Sequence, residues 1–190
     1  MKNILRPALV LFALLSVLTG LLYPLAVTGA AQAVFPKEAA GSLVQRNGQT
    51  IGSSLIGQSF TDPQHFWGRP SATAPMPYNA SASGGSNQGP LNPAQADAVK
   101  ARVEALRAAD PGNMAPVPVD LVTASASGLD PHISLAAAQY QAARVARARG
   151  LPVAHVNAVI GEFAEQPLWG LLGEPRVNVL ALNLALDGLR

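Results

Sequence analysis

Cysteine is absent from the 190-residue chain, which excludes a disulfide scaffold, a lipid-modified cysteine and any thiolate metal site. Charge is sparse: 13% of residues are charged and the formal net charge is +2. The basic residues are scattered, with no stripe interleaved with aromatics, so nothing marks a nucleic-acid binder. His65, His132 and His155 fall in separate segments without metal-ligand spacing. Catalytic motifs are missing as well. Gly84-Gly85-Ser86-Asn87-Gln88-Gly89 lacks the Lys-Ser/Thr ending of a phosphate-cradling loop and the spacing of a dinucleotide fingerprint. It reads as a tight turn needing positive φ. Ser127, Asp130 and His132 are the residue types of a serine hydrolase. They lie too close in sequence to line up nucleophile, base and orienter, and the chain has no G-x-S-x-G elbow.

What is present begins with an apolar run. No charged side chain occurs from Pro7 to Pro36, and a membrane-crossing helix needs about 20 mostly apolar residues. Thr19 and Ser16 can bond back to the preceding turn. Pro24 removes one ladder bond, so a kink or a helix exit is expected near Tyr23. Lys2 and Arg6 precede the run and no cation follows before Lys37. The bias places the N-terminus in the cytoplasm and the rest outside it. The expected segments are 1–6 cytoplasmic, 7–30 transmembrane and 31–190 extracytoplasmic. A cleaved secretory signal ending at Ala31-Gln-Ala33 is the competing reading, with a free periplasmic binding or hydrolytic protein as its product. Both readings export the main domain.

Beyond the run, Asn47-Gly48 between two short alternating segments predicts a β-hairpin. Residues 58–92 are too rich in Pro and Gly for a long helix or a central strand. Phe60, Phe66, Trp67 and Tyr78 are nevertheless the wrong residues for a disordered linker. An irregular lid packed on the core and a partner-binding loop both fit this composition. Asn92-Pro93 starts a helix whose stripe is Ala96, Val99, Val103 and Leu106. Asp120-Leu-Val-Thr123 reads as a brief strand. A second helix runs from about Ser134 to Arg149, with Gly150 beyond its end, and a third carries Val153, Val156, Ile160 and Phe163. Val177–Leu186 is either a strand followed by a helix or a helix buried on most faces. The fold class is mixed, α/β with α+β character. One transmembrane helix leads into a single compact domain with a hairpin and about four helices.

Phe66-Trp-Gly-Arg69 with Pro70-Ser-Ala-Thr73, then Tyr78, Asn79, Ser83-Gly-Gly-Ser-Asn87 and Asn92-Pro93, closely resemble the C subunit of the Kdp-type high-affinity potassium-transporting ATPase. Val122-Thr-Ala-Ser125, Gly128-Leu-Asp130 with His132, Arg144-Val-Ala146, Gly173-Glu-Pro-Arg176 and Leu182-Asn183 match in the same order. Gln88, Ala126 and Leu135 depart from the common family residues. The resemblance implies an uncleaved anchor in the bacterial inner membrane and an accessory role in potassium transport. The implied partners are a channel-like potassium-binding subunit, a P-type ATPase subunit, a small membrane peptide and the lipid bilayer. It implies no cofactor bound by the chain alone, with ATP and potassium handled by the partners. No Asp-Lys-Thr-Gly-Thr phosphorylation motif and no Thr-Val-Gly-Tyr-Gly filter occurs in this chain, which suits a non-catalytic subunit. The resemblance further implies a catalytic-chaperone effect on ATP affinity, with Gln141 as the residue concerned. Partner or loop roles fall to Phe66, Trp67, Arg69, Tyr78, Asn79, Gly84, Gly85, Asn87, Asp130 and His132.

Overall fold

The charge-free N-terminal run folds as one continuous rod. The computed structural model describes residues 2–188. Met1, Leu189 and Arg190, which end the expected segments 1–6 and 31–190, lie outside the described residues. Helix α1 covers Lys2–Val17, a π turn covers Leu18–Leu22, and α2 covers Tyr23–Val34. The stretch Ile4–Val34 is long and apolar enough to cross a membrane. Thr19 Oγ1 donates to the Leu15 carbonyl at 2.7 Å, as its position predicts. The helix does not exit at Tyr23. The turn just before Pro24 widens instead, with the Tyr23 N–H donating to the Leu18 carbonyl five residues back. Widening there moves backbone away from the Pro24 ring, so the helix absorbs the proline and continues. A single-turn helix, α3, follows at Pro36–Ala39.

Strands β1 (Leu43–Arg46) and β2 (Gln49–Ser53) form the expected hairpin. Asn47 and Gly48 have φ of 53° and 75°, the paired positive values that a two-residue type I′ turn requires. The chain divides into two compact units inside β2, between Thr50 and Ile51.

The second unit is built on four α-helices and a small sheet. Helix α4 (Pro93–Ala109) starts at Asn92, whose side chain accepts the Ala94 N–H. Strand β3 (His132–Ser134) runs directly into α5 (Leu135–Arg149), with Ser134 Oγ accepting the Ala137 N–H as N-cap. Gly150 closes α5 with φ 68°, the left-handed C′ geometry. Helix α6 (Val153–Phe163) leads into β4 (Ala164–Glu165), and β5 (Arg176–Asn178) leads into α7 (Val179–Asp187). The sheet order is β3-β5-β4, antiparallel throughout, with Ile133 and Ala164 both opposite Val177. Val177, Ala137, Val145, Val156, Ile160, Leu182 and Leu186 form the buried centre.

Two expectations change here. Asp120–Thr123 is no strand: Val119–Leu121 is a 3-10 turn, because the N–H groups of Val122 and Thr123 both bond locally to the Val119 carbonyl. Asp120 instead accepts from Ser134 N at 2.7 Å and from Ser134 Oγ at 3.1 Å. Gly84 and Gly85 are not at positive φ. The small size of Gly85 serves a close approach, since a Cβ there would lie 3.0 Å from the Ala126 carbonyl oxygen, whereas Gly84 faces open space. The open choice for 177–186 resolves as strand then helix, with Asn178 accepting the Ala181 N–H at the junction.

Candidate functional site

The long irregular loop is held by side chains rather than by a neighbouring strand. Buried carbonyl groups must find donors, and five consecutive carbonyls, Pro63 to Trp67, do so from α5 and α7. Arg144 donates to Pro63 O at 2.6 Å and His65 O at 3.0 Å. Arg149 Nε donates to Gln64 O at 2.6 Å. Asn183 Nδ2 donates to Phe66 O at 3.0 Å and Gln141 Nε2 to Trp67 O at 3.1 Å. The same two amides accept the Phe66 and Trp67 N–H groups, at 2.8 and 2.9 Å. Each amide therefore copies the paired bonds of a β-ladder, and Phe66 is fully buried between them.

Gln141 completes its bonding with Ala137 O at 3.3 Å and Arg144 Nη2 at 2.7 Å. Two donors and two accepted bonds fill the capacity of a side-chain amide, and Gln141 is 1% exposed. The Arg144 guanidinium stacks 4.4 Å from the Trp67 ring centroid, a cation–π geometry. Burial presses its pKa down to about 10, so it stays cationic at neutral pH.

A second cluster fixes the loop further on. The Tyr78 hydroxyl donates to the Arg69 carbonyl, and the Tyr78 N–H donates to Ser71 Oγ at 2.9 Å. Ser71 Oγ in turn donates to Gly128 O at 2.7 Å. Arg69 Nη1 lies 3.1 Å from Asp130 Oδ2, and the His132 N–H donates to Asp130 Oδ1 at 3.0 Å. Burial opposes ionisation of Asp130. Hydrogen bonds from His132 and Arg69 outweigh it and hold the carboxyl at about 2. Burial, reinforced by the Asp130 charge, pushes the Tyr78 phenol up to about 12. Asn79 closes its own turn, accepting from Ser81 N and donating to Ala74 O. Asn87, with φ 53°, stands outside both clusters.

The structure thus gathers Phe66, Trp67 and Gln141 in one clamp and Arg69, Tyr78, Asp130 and His132 in another. A cleft of about 660 Å³ opens beside the second cluster, lined by Arg69, Asp130, His132, Glu174 and Arg176. Sequence reasoning missed Arg149 and Asn183 as loop holders. The signal for Asn183 was there: it is an amide inside an apolar run, which calls for a dedicated buried partner. Reasoning also passed over the turn 166–173, where Leu168, Trp169, Leu171 and Leu172 are 58%, 81%, 85% and 59% exposed.

The comparisons agree along the length of the chain. The family model described as "K+-transporting ATPase, c chain" matches residues 5–188. A potassium-transporting ATPase KdpC subunit of Variovorax paradoxus is 79% identical over 187 residues, covering 98% of this chain and 97% of the relative. The corresponding subunit of Polaromonas naphthalenivorans is 74% identical over 190 residues, covering 100% and 97%. One from Sorangium cellulosum is 65% identical over 186 residues, covering 98% of each. An apolar rod followed by a mixed helix–strand domain, carrying the Phe66–Arg69 and Gly128–Asp130 blocks in contact, belongs to the KdpC family of potassium-transporting ATPase subunits.

Proposed function

We propose that the chain is the accessory, non-hydrolysing subunit of a high-affinity ATP-driven potassium uptake complex of the bacterial inner membrane. The carrying observation is the family match over residues 5–188, which takes in both the rod and the folded domain. The rod crosses the bilayer with its N-terminus in the cytoplasm, as the basic Lys2 and Arg6 ahead of it favour. The folded domain stands on the periplasmic side, over the outer mouth of a channel-like potassium-binding subunit. A P-type ATPase subunit and a small membrane peptide complete the assembly. The domain supports assembly and shapes ion entry, while ATP and potassium are bound by the partners.

A catalytic-chaperone effect on ATP affinity then reaches the nucleotide site as a coupling free energy through the complex. The surroundings of Gln141 support this indirect route. Its amide is enclosed and bonded to Trp67, Ala137 and Arg144, so direct nucleotide contact would first break the clamp. Gln141 acts as a positioning residue for the Phe66–Trp67 segment.

The test compares cells carrying full-length chain with cells carrying residues 1–35 alone. Full length restores growth in limiting potassium and recovery of the intact complex, and the rod alone restores neither. Equal recovery with the rod alone overturns the role given to the domain. A C-terminal tag reached only from the cytoplasmic face overturns the topology.

A further inference from the structure

Residues 166–173 carry no charge and expose four large apolar side chains on one turn. Trp169 is 81% exposed and Leu171 85%. Scattered exposed leucines are ordinary, but a contiguous apolar patch marks a contact surface. This turn is not a loose segment. Leu168 and Leu172 exchange backbone hydrogen bonds, each 3.0 Å, and the Gly170 N–H donates to Pro167 O at 2.9 Å. Trp169 itself sits at φ 55°, a left-handed conformation that costs a non-glycine residue free energy. The fold accepts that cost and leaves the indole in solvent. A pre-ordered display of this kind lowers the entropy lost on binding, and Trp is the residue most enriched among interface hot spots.

The surrounding charges select the occupant. Glu162, Glu165 and Glu174 flank the turn, against Arg176 alone. Arg176 is already paired with Glu165 at 2.9 Å. An anionic lipid surface attracts apolar turns with basic flanks, and this rim is acidic. The cleft beneath carries both signs: Leu168 and Leu172 border it together with Asp120, Asp130 and Glu174 and with Arg69 and Arg176, and both arginines are already paired with carboxylates.

Resting on the reading that the chain works as a subunit of a complex, we infer that Trp169 and Leu171 anchor the domain on another protein subunit. The receiving surface is an apolar pocket with a lysine- or arginine-bearing rim. Capture of the assembled complex from detergent-solubilised membranes through a tag on the full chain tests this. Trp169→Ala and Leu171→Glu each lower co-captured partner at least ten-fold. Glu174→Lys lowers it less, and to a degree that shrinks with added salt. Leu91→Glu leaves it unchanged, although Leu91 is 95% exposed on another loop.

Wild-type recovery by Trp169→Ala overturns the inference and leaves the functional reading standing. Absence of any partner in the wild-type capture overturns both. Two further outcomes overturn the inference in favour of a different occupant. One is a blue shift of Trp169 emission on partner-free vesicles of anionic lipid. The other is self-association of the purified chain that Trp169→Ala abolishes.

Discussion

Two turns of this molecule carry a bulky apolar residue, then Trp, then Gly: Phe66-Trp67-Gly68 and Leu168-Trp169-Gly170. The first is drawn inward, with Phe66 fully buried. The second faces solvent. Local sequence does not separate them. The difference lies in what the neighbouring helices offer. Around 63–67, α5 and α7 present Gln141, Arg144, Arg149 and Asn183 from buried or nearly buried positions, so backbone polar groups can enter the interior without losing their partners. Around 166–173 the backbone satisfies itself across the turn, Leu168 to Leu172, and among the described residues no side-chain amide draws it in. An aromatic turn is therefore buried when the core supplies polar side chains to receive its backbone.

The sharpest way to break this comparison is to remove the receiving side chains. Asn183→Leu keeps the volume of a 1%-exposed side chain but leaves a buried N–H and a buried carbonyl of Phe66 unpaired. At about 1–3 kcal/mol for each orphaned group, the loss is roughly 3 kcal/mol. Urea unfolding of the detergent-solubilised chain checks it, and a cost below about 1 kcal/mol would mean that the clamp is ornamental.

Next in size is the coupling of Arg144 to Trp67. A double-mutant cycle of Arg144→Met and Trp67→Leu gives an interaction of about 1–2 kcal/mol for a largely desolvated cation–π pair. Additive losses would show that the stacking is incidental.

Acid acts more gently, through the Arg69–Asp130 pair that fixes the loop just beyond the first turn. The folded-state value of Asp130, about 2, lies below its ordinary 3.8. Its stabilisation is therefore complete above pH 4 and fades as pH falls toward 2. Melting temperatures of wild type fall across that window, and Asp130→Asn flattens this part of the profile.

The smallest effect belongs to the second turn. Trp169→Ala changes unfolding free energy by less than about 0.5 kcal/mol, even where it disturbs assembly. A large destabilisation would erase the contrast between the two turns.

Much of this architecture is readable from residues. Asn47-Gly48 specifies the hairpin, Asn92-Pro93 and Ser134 open helices, and Gly150 closes one, because each acts on its immediate backbone. Strands β3 and β4 are three and two residues long, too short for a period-two pattern to register. Asp120 looks like the start of a strand, yet its carboxylate is committed to Ser134, fourteen residues away. The aromatics of 58–92 announce an ordered loop, and Gln141 is visible on the margin of the α5 stripe. The partnership of Gln141 with Trp67 spans 74 residues, and no local rule encodes a contact of that separation. Arg149 and Asn183 escape for the same reason.

The widened turn at Leu18–Leu22 has a geometric result for any neighbour of the rod. One added residue advances the helix's azimuth by roughly 100°. A stripe followed upward from Leu11 and Leu15 is thus continued above Tyr23 by side chains one position later than uniform winding would select. A companion helix lying flush along the full span reads two offset registers, and the seam between them is set by Pro24.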